Sequence, residues 1–74
     1  MIKIHLTAVE NRNLMYETFA ADPIGDEFRE LNIGEWESIL PDEADQEDID
    51  LILEKVEDVA VQYGFDFIHD VFRA

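Results

Sequence analysis

The stretch Pro41–Asp50, PDEADQEDID, holds six carboxylates in ten residues and no Lys, Arg or His. Carboxylates at that density can ligate a hard cation, exchange protons as an acid and base, or act together as a patch of negative charge. A calcium loop does not fit. Counted from Asp42, the third position is Ala44 and the sixth is Glu47 where the sharp turn wants Gly, and counting from Asp45 or Asp48 puts Ile at position five. Proton chemistry has no better footing, because nineteen Asp and Glu in 74 residues let no pair stand out and so short a chain leaves little room for a substrate pocket. Ser38 is the only serine and has no His near it in sequence, so a nucleophilic triad lacks its parts. His5 and His69 are the only imidazoles; on neighbouring strands they could approach each other, yet a metal pair would still lack a third ligand. The absence of cysteine removes a disulfide framework, a zinc knuckle and a thiol nucleophile. No catalytic residue, metal or cofactor is expected, and the chain does not read as an enzyme.

What remains is charge. Five Lys and Arg against nineteen acids give a net charge of −14, which repels nucleic acid and anionic membranes and attracts a cationic partner. Part of the acidic run has a local explanation: Asp45 suits a helix N-cap, and Glu47 and Asp48 in the first turn each gain roughly 0.3–1 kcal/mol from the helix dipole. The acids continue beyond that turn as Asp50, Glu54, Glu57 and Asp58, and Glu47, Asp50, Glu54 and Glu57 or Asp58 share one face. Like charges four residues apart destabilise a helix by a few tenths of a kcal/mol per pair, and Lys55 is the only Lys or Arg between Pro41 and Val71. Four helical residues advance about 6 Å and two strand residues nearly 7 Å, so carboxylates at those steps can imitate the row of phosphates on one nucleic-acid strand. Glu35 and Glu37 fall on one face of a predicted strand, and Trp36 between them suits either a small core or an interface anchor.

The elements that must position these residues follow from periodicity. Ile2, Ile4, Leu6 and Ala8 alternate with Lys3, His5 and Thr7, the pattern of a strand over Met1–Val9 with one buried face. Asn11 or Asn13 can cap a short helix that turns Leu14, Met15, Phe19 and Ala20 inward and stops at Pro23. The stretch Asp26–Leu40 reads as two strands joined by a tight turn at Asn32–Gly34, with PIGDEF before it as a plain turn. Ile49, Ile52, Leu53, Val56, Val59, Ala60 and Tyr63 mark an amphipathic helix from about Asp45 to Tyr63 that Gly64 ends. In the last segment Phe65, Phe67 and Val71 face one way and Ile68 and Phe72 the other, which predicts a central strand. The order β-α-β-β-α-β predicts a single α+β domain over 1–74, helices on one face of an antiparallel sheet, for which a ferredoxin-like arrangement is one solution. Eight Ile and five Phe supply its core. Neither a signal-peptide layout nor an apolar run of about 18 residues is present, so a cytoplasmic protein is expected.

In size, acidity and mixed α/β layout the chain resembles the phage-encoded DNA-mimic inhibitors, which include uracil-DNA glycosylase inhibitors, restriction blockers and several anti-CRISPR proteins. That resemblance implies an inhibitor occupying the DNA- or RNA-binding groove of a host defence or repair protein; being one of overall character, it carries over no functional residues. The residues themselves make Asp42, Glu43, Asp45, Glu47, Asp48, Asp50 and Glu54, continued by Glu57 and Asp58, the candidate phosphate substitutes, with Glu35, Trp36 and Glu37 flanking them. Two further expectations share the composition: an immunity protein or antitoxin that neutralises a basic nuclease toxin, and a small acidic domain from a high-salt cytoplasm. The partner in the first two is a basic nucleic-acid-binding protein; neither direct binding of nucleic acid nor a membrane is expected, and the oligomeric state is open.

Overall fold

The computed structural model describes Met1–Arg73. Its elements run in the order expected from the sequence: strand β1 (Ile2–Val9), helix α1 (Arg12–Ala21), strands β2 (Arg29–Asn32) and β3 (Glu35–Leu40), helix α2 (Gln46–Tyr63) and strand β4 (Asp66–Arg73). The strands form one sheet in the order β2-β3-β1-β4 with every neighbouring pair antiparallel. This is the split β-α-β, ferredoxin-like arrangement.

The alternation in β1 sets the layers. Ile2, Ile4 and Leu6 are buried together with Met15 and Phe19 of α1 and Ile49, Val56 and Ala60 of α2, so both helices cover one face of the sheet. Register carries that face across the strands: Leu6 lies opposite Trp36 and Ile4 opposite Ser38 on β3, and Ile4 lies opposite Val71 on β4. Trp36 is 4% exposed. Its indole packs 5.1 Å from the ring of Phe19, which also meets Phe28 at 5.6 Å and Phe65 at 6.2 Å. Trp36 is therefore core, because strand alternation turns it toward the helices while Glu35 and Glu37 turn away.

Three sequence expectations are corrected. PIGDEF is more than a turn: Pro23–Glu27 form a 3₁₀ helix capped by Asp22, which accepts a hydrogen bond from the Ile24 N–H at 3.1 Å. It buries Ile24 and lays Gly25 so close to α1 that a Cβ there would stand 1.7 Å from the Phe19 carbonyl oxygen. Ala20 and Tyr63, assigned inward from helical spacing, are exposed at the edges of their apolar arcs, and the Tyr63 hydroxyl donates to Asp22 at 3.3 Å. β4 is an edge strand paired only with β1; its second apolar face, Ile68 and Phe72, lies on the side that no helix covers. No helix among the described residues is long and apolar enough to cross a membrane.

Because Trp36 is the only tryptophan, its fluorescence reports on the core alone. The native protein should emit at short wavelength and resist acrylamide quenching until urea unfolds it; quenching as rapid as that of free tryptophan in the folded state would contradict the packing described.

Candidate functional site

The acidic surface is built on α2, and the helix starts where its sequence dictates. Asp45 is the N-cap: its side chain accepts from the Asp48 N–H at 3.0 Å, and the Asp48 carboxylate accepts from the Asp45 N–H at 3.1 Å. This reciprocal capping box satisfies two backbone donors of the first turn. At the other end Gly64 adopts the left-handed conformation, φ 81°, that lets its N–H reach the Ala60 carbonyl. Between these ends Ile49, Val56 and Ala60 are buried and Ile52, Leu53 and Val59 pack against the core. At 100° per residue, the direction opposite that arc belongs to Glu47, Glu54 and Asp58, with Asp50 and Glu57 on one flank.

The twelve candidate residues separate into four groups. Glu43, Glu47, Asp50, Glu54, Glu57 and Asp58 are exposed on α2 or just before it, and no ion pair engages them among the described residues. Asp45 and Asp48 share that end of the surface with their carboxylates engaged in the cap, while Asp42 pairs with the amine of Met1. Glu35, Trp36 and Glu37 do not flank these acids, contrary to expectation. Trp36 is in the core, and Glu35 and Glu37 point to the opposite side of the molecule, onto the uncovered face of the sheet. Glu37 is only 5% exposed; its Oε1 accepts from Arg29 Nε at 2.7 Å within an ion pair. Glu35 accepts from the Asn32 side-chain amide at 2.9 Å and lies 3.7 Å from His5 Nε2.

Lys55 does not relieve the stripe. It reaches sideways to Glu27 of the 3₁₀ helix at 3.5 Å, off the outward line of α2. Acids of that neighbouring element, Asp26 and Glu27, extend the negative surface laterally, which sequence spacing could not reveal because it depends on how Pro23–Glu27 packs beside α2. Sequence reasoning also missed Leu51 and Val61, exposed by 53% and 79%. Leu51 lies among Glu47, Asp48, Asp50 and Glu54 around a shallow recess of about 360 Å³. The available signal was that both fall outside the apolar arc of α2, at positions where a solvated helix would carry a polar residue.

Among the described residues no three His, Asp or Glu side chains are grouped as metal ligands. β1 and β4 are neighbours, yet His5 stands opposite Asp70 and His69 opposite Leu6, so the two imidazoles project from opposite faces of the sheet. Comparison with protein-family models, with curated proteins and with solved structures finds no match for the chain.

Two stability measurements check this electrostatic arrangement. Glu54 has Asp50, Glu57 and Asp58 within three or four residues, so Glu54→Gln should stabilise the fold by roughly 0.5–1 kcal/mol in urea denaturation, from three like-charge pairs of a few tenths each; a loss of stability would show that Glu54 has a favourable partner. Arg29→Met leaves the Glu37 carboxylate covered and unpaired and should cost about 1–3 kcal/mol, whereas an unchanged midpoint would mean that water already serves Glu37.

Proposed function

We propose that the chain is a nucleic-acid mimic that binds a basic nucleic-acid-binding protein, such as a host defence or repair enzyme, through the acidic face of α2 and blocks its groove. The observation that supports this most is the uncompensated row Glu47, Asp50, Glu54 and Asp58 on the outward side of a well-capped helix, with the single base of the helix directed away to Glu27. Steps of three and four residues separate these carboxylates by about 4.5–6 Å along the axis, a spacing that a groove lined for successive phosphates can accept. A rigid helix also presents the charges without the ordering cost that a disordered acidic tail would incur on binding.

The mechanism requires no bond making. The −14 field steers a basic groove toward α2, counterions leave both surfaces, and the bound helix excludes nucleic acid sterically. Leu51 supplies an apolar contact inside the charged ring, where a fully desolvated side chain contributes most to residence time. Association is therefore fast at low salt and slows steeply as salt rises.

The test is competition. Protein immobilised through its C-terminal end is exposed to a bacterial lysate at moderate salt and then washed with excess double-stranded DNA. Release of a nucleic-acid-binding protein by DNA is expected, and the quadruple variant Glu47→Gln, Asp50→Asn, Glu54→Gln, Asp58→Asn should retain at least about 100-fold less of it, roughly a factor of several for each charge removed. Equal retention by the variant, or a captured protein that ignores DNA, would contradict mimicry by this face.

A further inference from the structure

The sheet face turned away from the helices is composed unlike the rest of the surface. Register sets Ile39, Lys3 and Phe72 side by side across β3, β1 and β4, and Glu35, Thr7 and Ile68 in a second row. Between them runs the row Arg29, Glu37, His5 and Asp70. Ile39, Ile68 and Phe72 are 48%, 57% and 55% exposed, and Leu31 beside the β2 bulge is 41% exposed. Single exposed apolar residues are ordinary, but four spread over an open sheet make a patch of the kind found at interfaces.

Charge selects the occupant. Of the nineteen acids only Glu35, Glu37, Asp66 and Asp70 belong to this face, and it holds Lys3 and Arg29 of the five bases together with His5. Arg29 already neutralises Glu37. A cationic partner is drawn to α2; a second copy of this chain, repelled elsewhere, meets little opposing charge here. Lys3 and the acids lie in different rows, so a two-fold axis can bring Lys3 of each copy to a carboxylate of the other, the reciprocity that an isologous contact needs. Strands of four, six, eight and eight residues, at about 3.3 Å per residue and about 4.8 Å apart, give a flat footprint near 400 Å² per copy, or about 800 Å² for the pair, the size of a weak, transient interface. A recess of about 510 Å³ beside Leu31, Lys3 and Phe72 leaves room for an apolar side chain from the other copy.

We propose that this open sheet face is a homodimer interface, two copies packing sheet to sheet with their acidic helices outward. The inference stands independently of mimicry, and its salt dependence has the opposite sign: screening relieves repulsion between the two −14 chains, so the dimer tightens as salt rises, while binding of a basic partner weakens.

Sedimentation equilibrium at about 50 mM and about 500 mM NaCl, up to roughly millimolar protein, tests it. The wild type should reach twice its 8.6 kDa mass, with a dissociation constant lower by about tenfold or more at the higher salt. The double variant Ile68→Glu, Phe72→Glu should keep its circular-dichroism spectrum, since both residues are exposed, and dimerise about 100-fold more weakly. Val61→Glu, on the exposed side of α2, should dimerise as the wild type does. A monomer under all conditions, or a dimer untouched by the double variant, would overturn the proposal.

Discussion

The structure depends on keeping an excess of fourteen negative charges in water and away from one another while a small core forms. The two-layer sandwich does this by directional sorting. Every carboxylate except Glu35, Glu37, Asp66 and Asp70 lies on a helix, in a connecting segment or on β2, and the apolar arcs of α1 and α2 close over Ile2, Ile4, Leu6 and Trp36 beneath. Where a carboxylate does enter a covered position, as Glu37 does, a guanidinium meets it. Where carboxylates crowd a helix start, Asp45 and Asp48 accept backbone N–H groups that would otherwise be unpaired. Repulsion along α2 remains as a cost to the fold, and a face that lowers stability is a reasonable place to look for binding.

Sorting of this kind gives the molecule two unlike sides. The helical side carries a dense field with little compensation, of the kind that steers the rate and orientation of an encounter from a distance. The sheet side carries apolar rows separated by a charged one. On the proposed reading the first selects a basic partner, and the second selects one that matches shape and alternate charge. One molecule can present both at once because four strands separate them and no element of the described chain covers the second.

Much of the fold was legible because its signals are local. The alternation in β1, the Asp45 cap with its following turn, the three- and four-residue steps of α2 and the stop at Gly64 each depend on neighbours within one element. What was missed depends on packing between elements. Pro23–Glu27 reads as a turn until Phe19 is seen against Gly25. β4 reads as central because a strand with apolar residues on both faces looks the same whether a second layer or solvent lies beyond one of them. Glu35 and Glu37 were correctly placed on one face, but the two faces of an isolated strand are equivalent until Trp36 is drawn to the Phe19 cluster, and that choice carried both acids away from α2. The acidic row itself was legible from spacing; the direction taken by Lys55 was not.

The most direct measurement of the central claim, that negative potential is concentrated on the helical side, is residue-by-residue paramagnetic relaxation of backbone amides by a cationic and by an anionic nitroxide of the same shape. The account predicts a cationic-to-anionic ratio several times larger along Glu47–Asp58 than along Lys3–Thr7 and Ile68–Phe72, collapsing toward unity as salt shortens the screening length. Equal ratios on the two sides at low salt would contradict it.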